Sequence, residues 1–234
     1  MKTLLKVWLP TMGIIAAAFT VYLIFNWTDM AITYRLSFCA AIFLILHLYE
    51  EERMPGGFGY MYNVLKAQSD APDRYPMSPL IAMTVDVLAF LFLFVPPLFF
   101  PEQYWLGVPP MFLMLLEVFT HSGVGLLIQR RKKMSIYTPG LITALLMGTI
   151  SISYITIVIS KQLMSGTDWL WSLLYFAIAM IICLIIPEKT LPSKTTPWGF
   201  EHKHFLGFYK NIPHWRIFSM IATSKIAEEL DKTT

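Results

Sequence analysis

The chain has 234 residues, of which 56% are hydrophobic and only 14% are charged, and its formal net charge is +3. Soluble domains carry about a quarter of charged residues, so this composition excludes an ordinary soluble domain. The small net charge and the lack of a basic stripe with interleaved aromatic residues exclude nucleic acid as a partner. Membrane lipids are the expected surroundings.

Apolar stretches of bilayer-spanning length recur along the chain, and each predicts a transmembrane helix. We predict six spans, at about 8–25, 34–51, 79–95, 111–129, 137–160 and 169–186. The expected fold class is all-α, a polytopic helical membrane protein. Lys2 and Lys6 precede the first span, which lacks a small-residue cleavage site, so we expect this span to be retained.

Two connections and the C-terminal tail have a composition of their own. Residues 58–78 are polar and aromatic, which predicts a loop with a short interfacial helix around 60–67. Pairs of prolines bracket 98–108, and its aromatic residues predict a connector in the headgroup region. We therefore expect a transmembrane domain over 1–187 and a polar cytoplasmic tail over 188–234.

The distribution of lysine and arginine predicts the orientation. With six spans, one side of the membrane holds both termini and almost all basic residues, whereas the other side holds only Arg35 and Lys161. Positive charge marks the cytoplasmic side. We therefore expect both termini in the cytoplasm and the chain in a bacterial inner membrane or an equivalent membrane.

The second span ends in a group of ionisable residues. Glu50 and Glu51 follow His47 by three and four residues, so a continuous helix places them on one face. Such groups are costly in or near a bilayer and therefore indicate a functional site. The alternative is a solvated acidic helix end at the headgroup boundary, although carboxylates there oppose the helix dipole.

Three other groups are predicted at a similar depth. Asp86 lies seven residues after Pro79, and His121 lies nine residues before Arg130. At 1.5 Å per residue these spacings correspond to about 10 Å and about 13 Å into the membrane. Glu117 lies one turn from His121, and Tyr137 enters from the same side. Simpler explanations are a self-contained Glu117–His121 pair, an Asp86 side chain paired with Thr84 or a backbone group, and a Tyr-Thr-Pro-Gly helix start.

These motifs together resemble a known family of membrane proteins. His47, Glu50 and Glu51 form a His-x-x-Glu-Glu motif, His121 follows in a later span, and Tyr137, Pro139 and Gly140 open the next one. The combination resembles the HXXEE-domain family over roughly residues 5–190, with His47 in the second span. The function of that family is unknown, so the resemblance implies which residues matter and not what they do.

The candidate residues suit a metal site in an enzyme. Two imidazoles with several carboxylates suit zinc or a two-metal carboxylate site, and also iron. The candidate catalytic and metal-binding residues are His47, Glu50, Glu51, Glu117 and His121, with Asp86 and Tyr137 beside them. Without a metal, the same groups could move protons on an apolar, lipid-like substrate. A proton-coupled carrier of a small molecule or a non-catalytic membrane protein would also account for them. The remaining histidines, His202, His204 and His214, are expected at the surface.

Overall fold

The structure is a computed structural model that describes residues 1–131 and 135–211. Within these ranges it contains helices and no strand, which confirms the predicted all-α fold. In chain order the helices are α1 (Lys2–Asn26), α2 (Ile32–Glu52), α3 (Phe58–Tyr60, continued as a π-helix over Met61–Lys66), α4 (Pro79–Phe99), α5 (Tyr104–Arg130), α6 (Leu141–Ser160), α7 (Gly166–Thr190) and α8 (His202–Leu206). All except α3 and α8 are long and apolar enough to cross a membrane, so the chain is a multi-pass integral membrane protein.

Helix α6 packs against both α2 and α5. Small residues permit the close approach. A Cβ atom at Gly148 of α6 would lie 2.8 Å from Val118 of α5, and one at Gly107 of α5 would collide with the Tyr154 ring of α6. As a result, the first turn of α6 lies beside the end of α2 and the middle of α5, which carry the ionisable residues.

The predicted connector over 98–108 is wrong in its second half, because α5 begins at Tyr104 and continues through Pro109 and Pro110. A proline inside a helix leaves the carbonyl four residues earlier without its partner. In this structure the Trp105 carbonyl accepts a hydrogen bond of 2.8 Å from the Ser172 hydroxyl of α7. The neighbouring helix thus satisfies the group that Pro109 leaves free, as membrane proteins require.

The described part of the predicted tail packs against the short helix α3. Tyr60 and Val64 of α3 form a buried cluster with Phe205 and Tyr209. The amide of Phe208 donates to the Gly56 carbonyl at 3.1 Å, an approach that glycine at this position allows. Residues up to 211 therefore cover the end of the bundle, whereas 212–234, including His214, lie outside the described residues.

Candidate active site

The end of α2 and the middle of α5 supply four ionisable side chains that face one another. His47 and Glu51 lie one turn apart on α2 and are 2% and 8% exposed. Glu117 and His121 lie one turn apart on α5, and His121 is fully buried. A π-helical stretch over Phe119–Gly125 contains His121. Such local changes of helix geometry are frequent at functional sites.

The two imidazole Nε2 atoms point into the same small space. Glu51 Oε1 lies 3.1 Å from Nε2 of His121 and 3.7 Å from Nε2 of His47. Glu117 Oε2 lies 3.5 Å and 4.0 Å from the same two nitrogens. The two rings are 5.0 Å apart between centroids and nearly perpendicular. His47 and His121 therefore face each other across one small space, next to Glu51 and Glu117.

Hydrogen bonds on the far side of His47 indicate that its Nδ1 carries a hydrogen. Its Nδ1 lies 2.9 Å from the Thr143 hydroxyl oxygen, and that hydroxyl donates to a carboxylate oxygen of Glu50. Because the hydroxyl has one hydrogen and gives it to Glu50, it accepts from Nδ1–H of His47. A neutral His47 then presents the lone pair of Nε2 to the space shared with Glu51.

His121 is held in a similar way by Thr138. The Thr138 hydroxyl donates to the backbone carbonyl of His121 at 3.3 Å and lies 3.5 Å from its Nδ1. The Nε2 atoms of both histidines are buried and have no hydrogen-bond partner of acceptable geometry among the described residues. Buried polar atoms rarely lack a partner, so this pair needs an explanation.

Both imidazole rings pack against Gly140, which lies just before α6. Its φ is +94°, a conformation that favours glycine. A Cβ atom there would lie 2.5 Å from Cε1 of His121 and 2.8 Å from Cε1 of His47. The Tyr-Thr-Pro-Gly sequence is thus a helix start, and its glycine also contacts both histidines.

Glu50 lies outside this cluster, although the sequence placed it with Glu51 among the candidate ligands. Its carboxylate accepts hydrogen bonds from the backbone amides of Ile142 at 3.1 Å and Thr143 at 2.8 Å. The Tyr137 hydroxyl donates to it at 2.7 Å. These amides belong to the first turn of α6, whose helix dipole favours a negative charge. The N-terminal end of α6 therefore stabilises the negative charge of Glu50, which its position at the C-terminal end of α2 alone would disfavour.

An amphipathic cavity of about 260 Å³ adjoins the cluster. Its polar end is lined by His47, Glu51 and Glu117, together with Asp86 of α4. The pairing of Thr84 with Asp86 is not seen, because the Thr84 hydroxyl donates to the Leu80 carbonyl. Most of the remaining wall is apolar and comes from four helices, through Leu44, Ala89, Leu93, Leu113, Met180 and Cys183.

Sequence reasoning missed three contributors to the site. Thr138 and Thr143 support the histidines, and Glu52 lines the cavity next to Asp86. The only signal for the threonines was their position on either side of Gly140. A threonine in a membrane helix ordinarily bonds its own backbone, so nothing in the sequence marked these two. Among the tail histidines, His202 is exposed as expected and His204 is half-buried.

The candidate metal ligands can be compared with the requirements of an ion. One atom each from His47, Glu51 and His121 can be chosen so that all three lie within 4.8 Å of one another. Bonds of about 2.0 to 2.2 Å to zinc put tetrahedral ligand atoms about 3.3 Å apart. The distances of 3.1 Å and 3.7 Å from Glu51 Oε1 to the two Nε2 atoms bracket that value. The arrangement is therefore suited to a metal ion after small side-chain movements.

Comparison with known proteins identifies a family and no function. Neither a curated protein nor a solved structure matches this chain. The family described as "Protein of unknown function with HXXEE motif" matches residues 38–156, which is just over half of the chain and a shorter range than 5–190. That range includes the His-x-x-Glu-Glu motif, His121 and Gly140. The chain is a member of the family of proteins of unknown function with the HXXEE motif.

Proposed function

We propose that the chain is a metal-dependent membrane enzyme that acts on an apolar, lipid-like substrate. Its metal ion, zinc or iron, is held by His47, Glu51 and His121, with Glu117 near a fourth position. Two imidazoles and a carboxylate with an open position are a ligand set found in zinc hydrolases and in iron oxygenases. The site lies in the cytoplasmic half of the bilayer, by the orientation that the basic residues predict.

The pair of unpartnered Nε2 atoms is the observation that carries this proposal. A protonated Nε2 would need an acceptor in line with its N–H, and neither histidine has one in the part of the chain that the structure describes. An unprotonated Nε2 presents a lone pair to Glu51 Oε1, at 3.1 Å in the case of His121. A lone pair and a carboxylate oxygen at that distance repel each other unless a proton or a metal ion lies between them, and a metal ion can bind both Nε2 atoms at once.

The hydrogen bonds behind the ligands support the same assignment. Histidines that bind a metal commonly donate their other ring N–H to a neighbouring acceptor, which fixes the tautomer and the ring orientation. Thr143 performs this role for His47, with Glu50 behind it. The contacts with Thr143 and Glu50 thus give His47 the fixed tautomer and ring orientation that a metal ligand requires.

The cavity supports the assignment of substrate class. An apolar chain fits along the wall formed by Leu93, Leu113 and Met180, with its polar end at Glu51 and Glu117. Among the described residues that line the cavity, Lys66 is the only permanent cation, against several acids. This balance disfavours a substrate with an anionic headgroup. A neutral long-chain alcohol, ester or similar amphiphile suits it better.

The residues around the metal have separate expected roles. A metal ion would supply Lewis acidity and polarise a substrate oxygen at the open position. Glu117 is 26% exposed in its side chain and lines the cavity, so it can exchange a proton with a bound substrate. Asp86 lies across the same polar end and is a second proton carrier.

Elemental analysis of the purified protein tests the metal centre. Wild-type chain prepared without chelators should contain about one transition-metal ion per chain, and His47→Ala and His121→Ala should each lose it. The exposed His202→Ala is the matched control and should keep it. A wild-type chain that stays metal-free after reconstitution with zinc or iron contradicts the proposal.

The substrate class is tested in cells. Lipid extracts from cells that lack the protein are compared with extracts from cells that express wild type or Glu51→Gln. A neutral lipid species should accumulate without the protein and with Glu51→Gln, and fall on expression of wild type. Unchanged lipid profiles together with a confirmed metal would contradict the proposed substrate class but not the proposed metal centre.

A further inference from the structure

A second cavity, of about 410 Å³, lies outside the candidate active site. It is enclosed by the beginning of α1, the end of α2, the beginning of α4 and the segment 197–204. Its charged lining consists of Lys2, Lys6, Glu52, Arg53 and Glu201. Three basic and two acidic side chains give a net charge of +1 with His204 neutral.

The basic side chains are only partly used within the protein. Arg53 lies 4.0 Å from Glu201, whose side chain is 62% exposed, so this ion pair is loose. Lys2 and Lys6 form no ion pair with any described residue. The Nδ1 atom of His204 is buried and has no hydrogen-bond partner within 1–131 and 135–211. The cavity therefore offers unused hydrogen-bond donors and positive charge.

The surroundings of this cavity are those of a membrane surface. It lies where the membrane-length helices α1, α2 and α4 begin or end, and its wall includes Trp8 and Trp198. Tryptophan is enriched at the level of lipid headgroups. Further along α1, on the side of the helix that carries Lys6, the apolar side chains of Ile14, Val21 and Ile24 are exposed, which leaves room for acyl chains beyond the cavity.

We infer that this cavity binds the headgroup of an anionic phospholipid. Lys2, Lys6 and Arg53 contact the phosphate, and the acyl chains lie along the outer face of α1. The single negative charge of a phosphatidylglycerol headgroup matches the net charge of the lining, and its hydroxyls can donate to Glu52 and Glu201. This inference is independent of the metal centre, since the lining shares only Glu52 with the first cavity.

Native mass spectrometry of the detergent-solubilised full chain tests the inference. Wild type is titrated with phosphatidylglycerol, and the variant carries Lys2→Gln, Lys6→Gln and Arg53→Gln together. Each basic residue near an anionic lipid contributes on the order of a fewfold to tenfold in affinity, so the variant should bind the first lipid at least about tenfold more weakly. The charge-matched control carries Lys161→Gln, Lys189→Gln and Lys210→Gln, outside the cavity, and should bind like wild type.

Two further ligands separate the sources of phosphate. Phosphatidylcholine should bind more weakly than phosphatidylglycerol, and millimolar inorganic phosphate should not displace the lipid. Equal binding of phosphatidylcholine, displacement by inorganic phosphate, or unchanged binding by the triple variant would each overturn the inference. If both triple variants unfold at the same temperature as wild type, any loss of lipid binding is due to the cavity and not to misfolding.

Discussion

Nδ1 of His47 lies 2.9 Å from the hydroxyl oxygen of Thr143, which is 96 residues further along the chain. This contact joins the end of α2 to the first turn of α6. Because the same hydroxyl donates to Glu50, two side chains of α2 hold one side chain of α6 between them. The tautomer of His47 therefore depends on a residue that lies outside the His-x-x-Glu-Glu motif.

Replacing Thr143 by valine keeps the shape of the side chain and removes the hydroxyl. We expect zinc or iron to bind about 10- to 100-fold more weakly, because His47 loses the acceptor that fixes its tautomer. Metal affinity is measured by competition with a chelator of known affinity. Thr149→Val, on the exposed face of α6, is the control and should bind metal like wild type. Equal affinities for the two variants would rule out the tautomer argument.

The two adjacent glutamates should respond differently to the same substitution. Glu51→Gln should lose the metal, because Glu51 Oε1 faces both Nε2 atoms. Glu50→Gln should keep metal at stoichiometric metal concentration but lower the free energy of unfolding by about 1 to 3 kcal/mol, because an amide cannot accept from all four donors. Metal content and thermal unfolding are measured on both proteins. The reverse pattern would show that Glu50 is the ligand.

The level of His47, Asp86 and His121 along their helices follows from counting residues to the helix ends, and their depth in the membrane stays a prediction. His47, Asp86 and His121 each lie a known number of residues from a helix end, and the rise per residue is fixed. The positions of His47 and His121 also follow from the cost of burying imidazoles among lipids, which favours their meeting in the interior.

The different contacts of Glu50 and Glu51 could not be predicted in the same way. They are neighbours in sequence, and a helix rotates by about 100° between them. Which of the two faces α5 and which faces the first turn of α6 depends on how the helices pack. The continuation of α5 through Pro109 was also missed, because the compensating donor, Ser172, belongs to another helix.

The orientation of the bundle is predicted from the basic residues alone. Reporter fusions after residue 133 and after residue 234 should both report the cytoplasm. A reporter inserted after Gln162, in the short connection between α6 and α7, is the internal control and should report the opposite side. A fusion after residue 133 that reports the side of Gln162 would contradict the six-span topology.

Tyr137 should make the protein sensitive to alkaline pH. Burial, followed by the hydrogen bond to the Glu50 carboxylate, raises the pKa of the Tyr137 phenol in the folded chain above its ordinary value of about 10. Above pH 10 the unfolded chain loses this proton while the folded chain keeps it. Stability is therefore fully present below pH 10 and falls above it, by up to about 1.4 kcal/mol per pH unit for this group.

Tyr137→Phe tests that dependence. The variant should be less stable at neutral pH by about 1 kcal/mol, because it lacks the hydrogen bond to Glu50. It should also lose stability less steeply above pH 10. Denaturant or thermal unfolding between pH 7 and 11 gives both quantities, and an unchanged alkaline slope would refute the assignment.

Gly140→Ala tests whether both histidines depend on one point of the backbone. The added methyl group would lie 2.5 Å from His121 and 2.8 Å from His47, so at least one ring must move. The positive φ adds a cost of about 1 to 2 kcal/mol for any residue with a Cβ. We expect a variant that remains helical by circular dichroism but holds no metal. Gly166→Ala, where nothing lies within 4 Å, should change stability by less than about 0.5 kcal/mol and keep the metal. A Gly140→Ala protein with full metal content would show that the two imidazoles do not share this support.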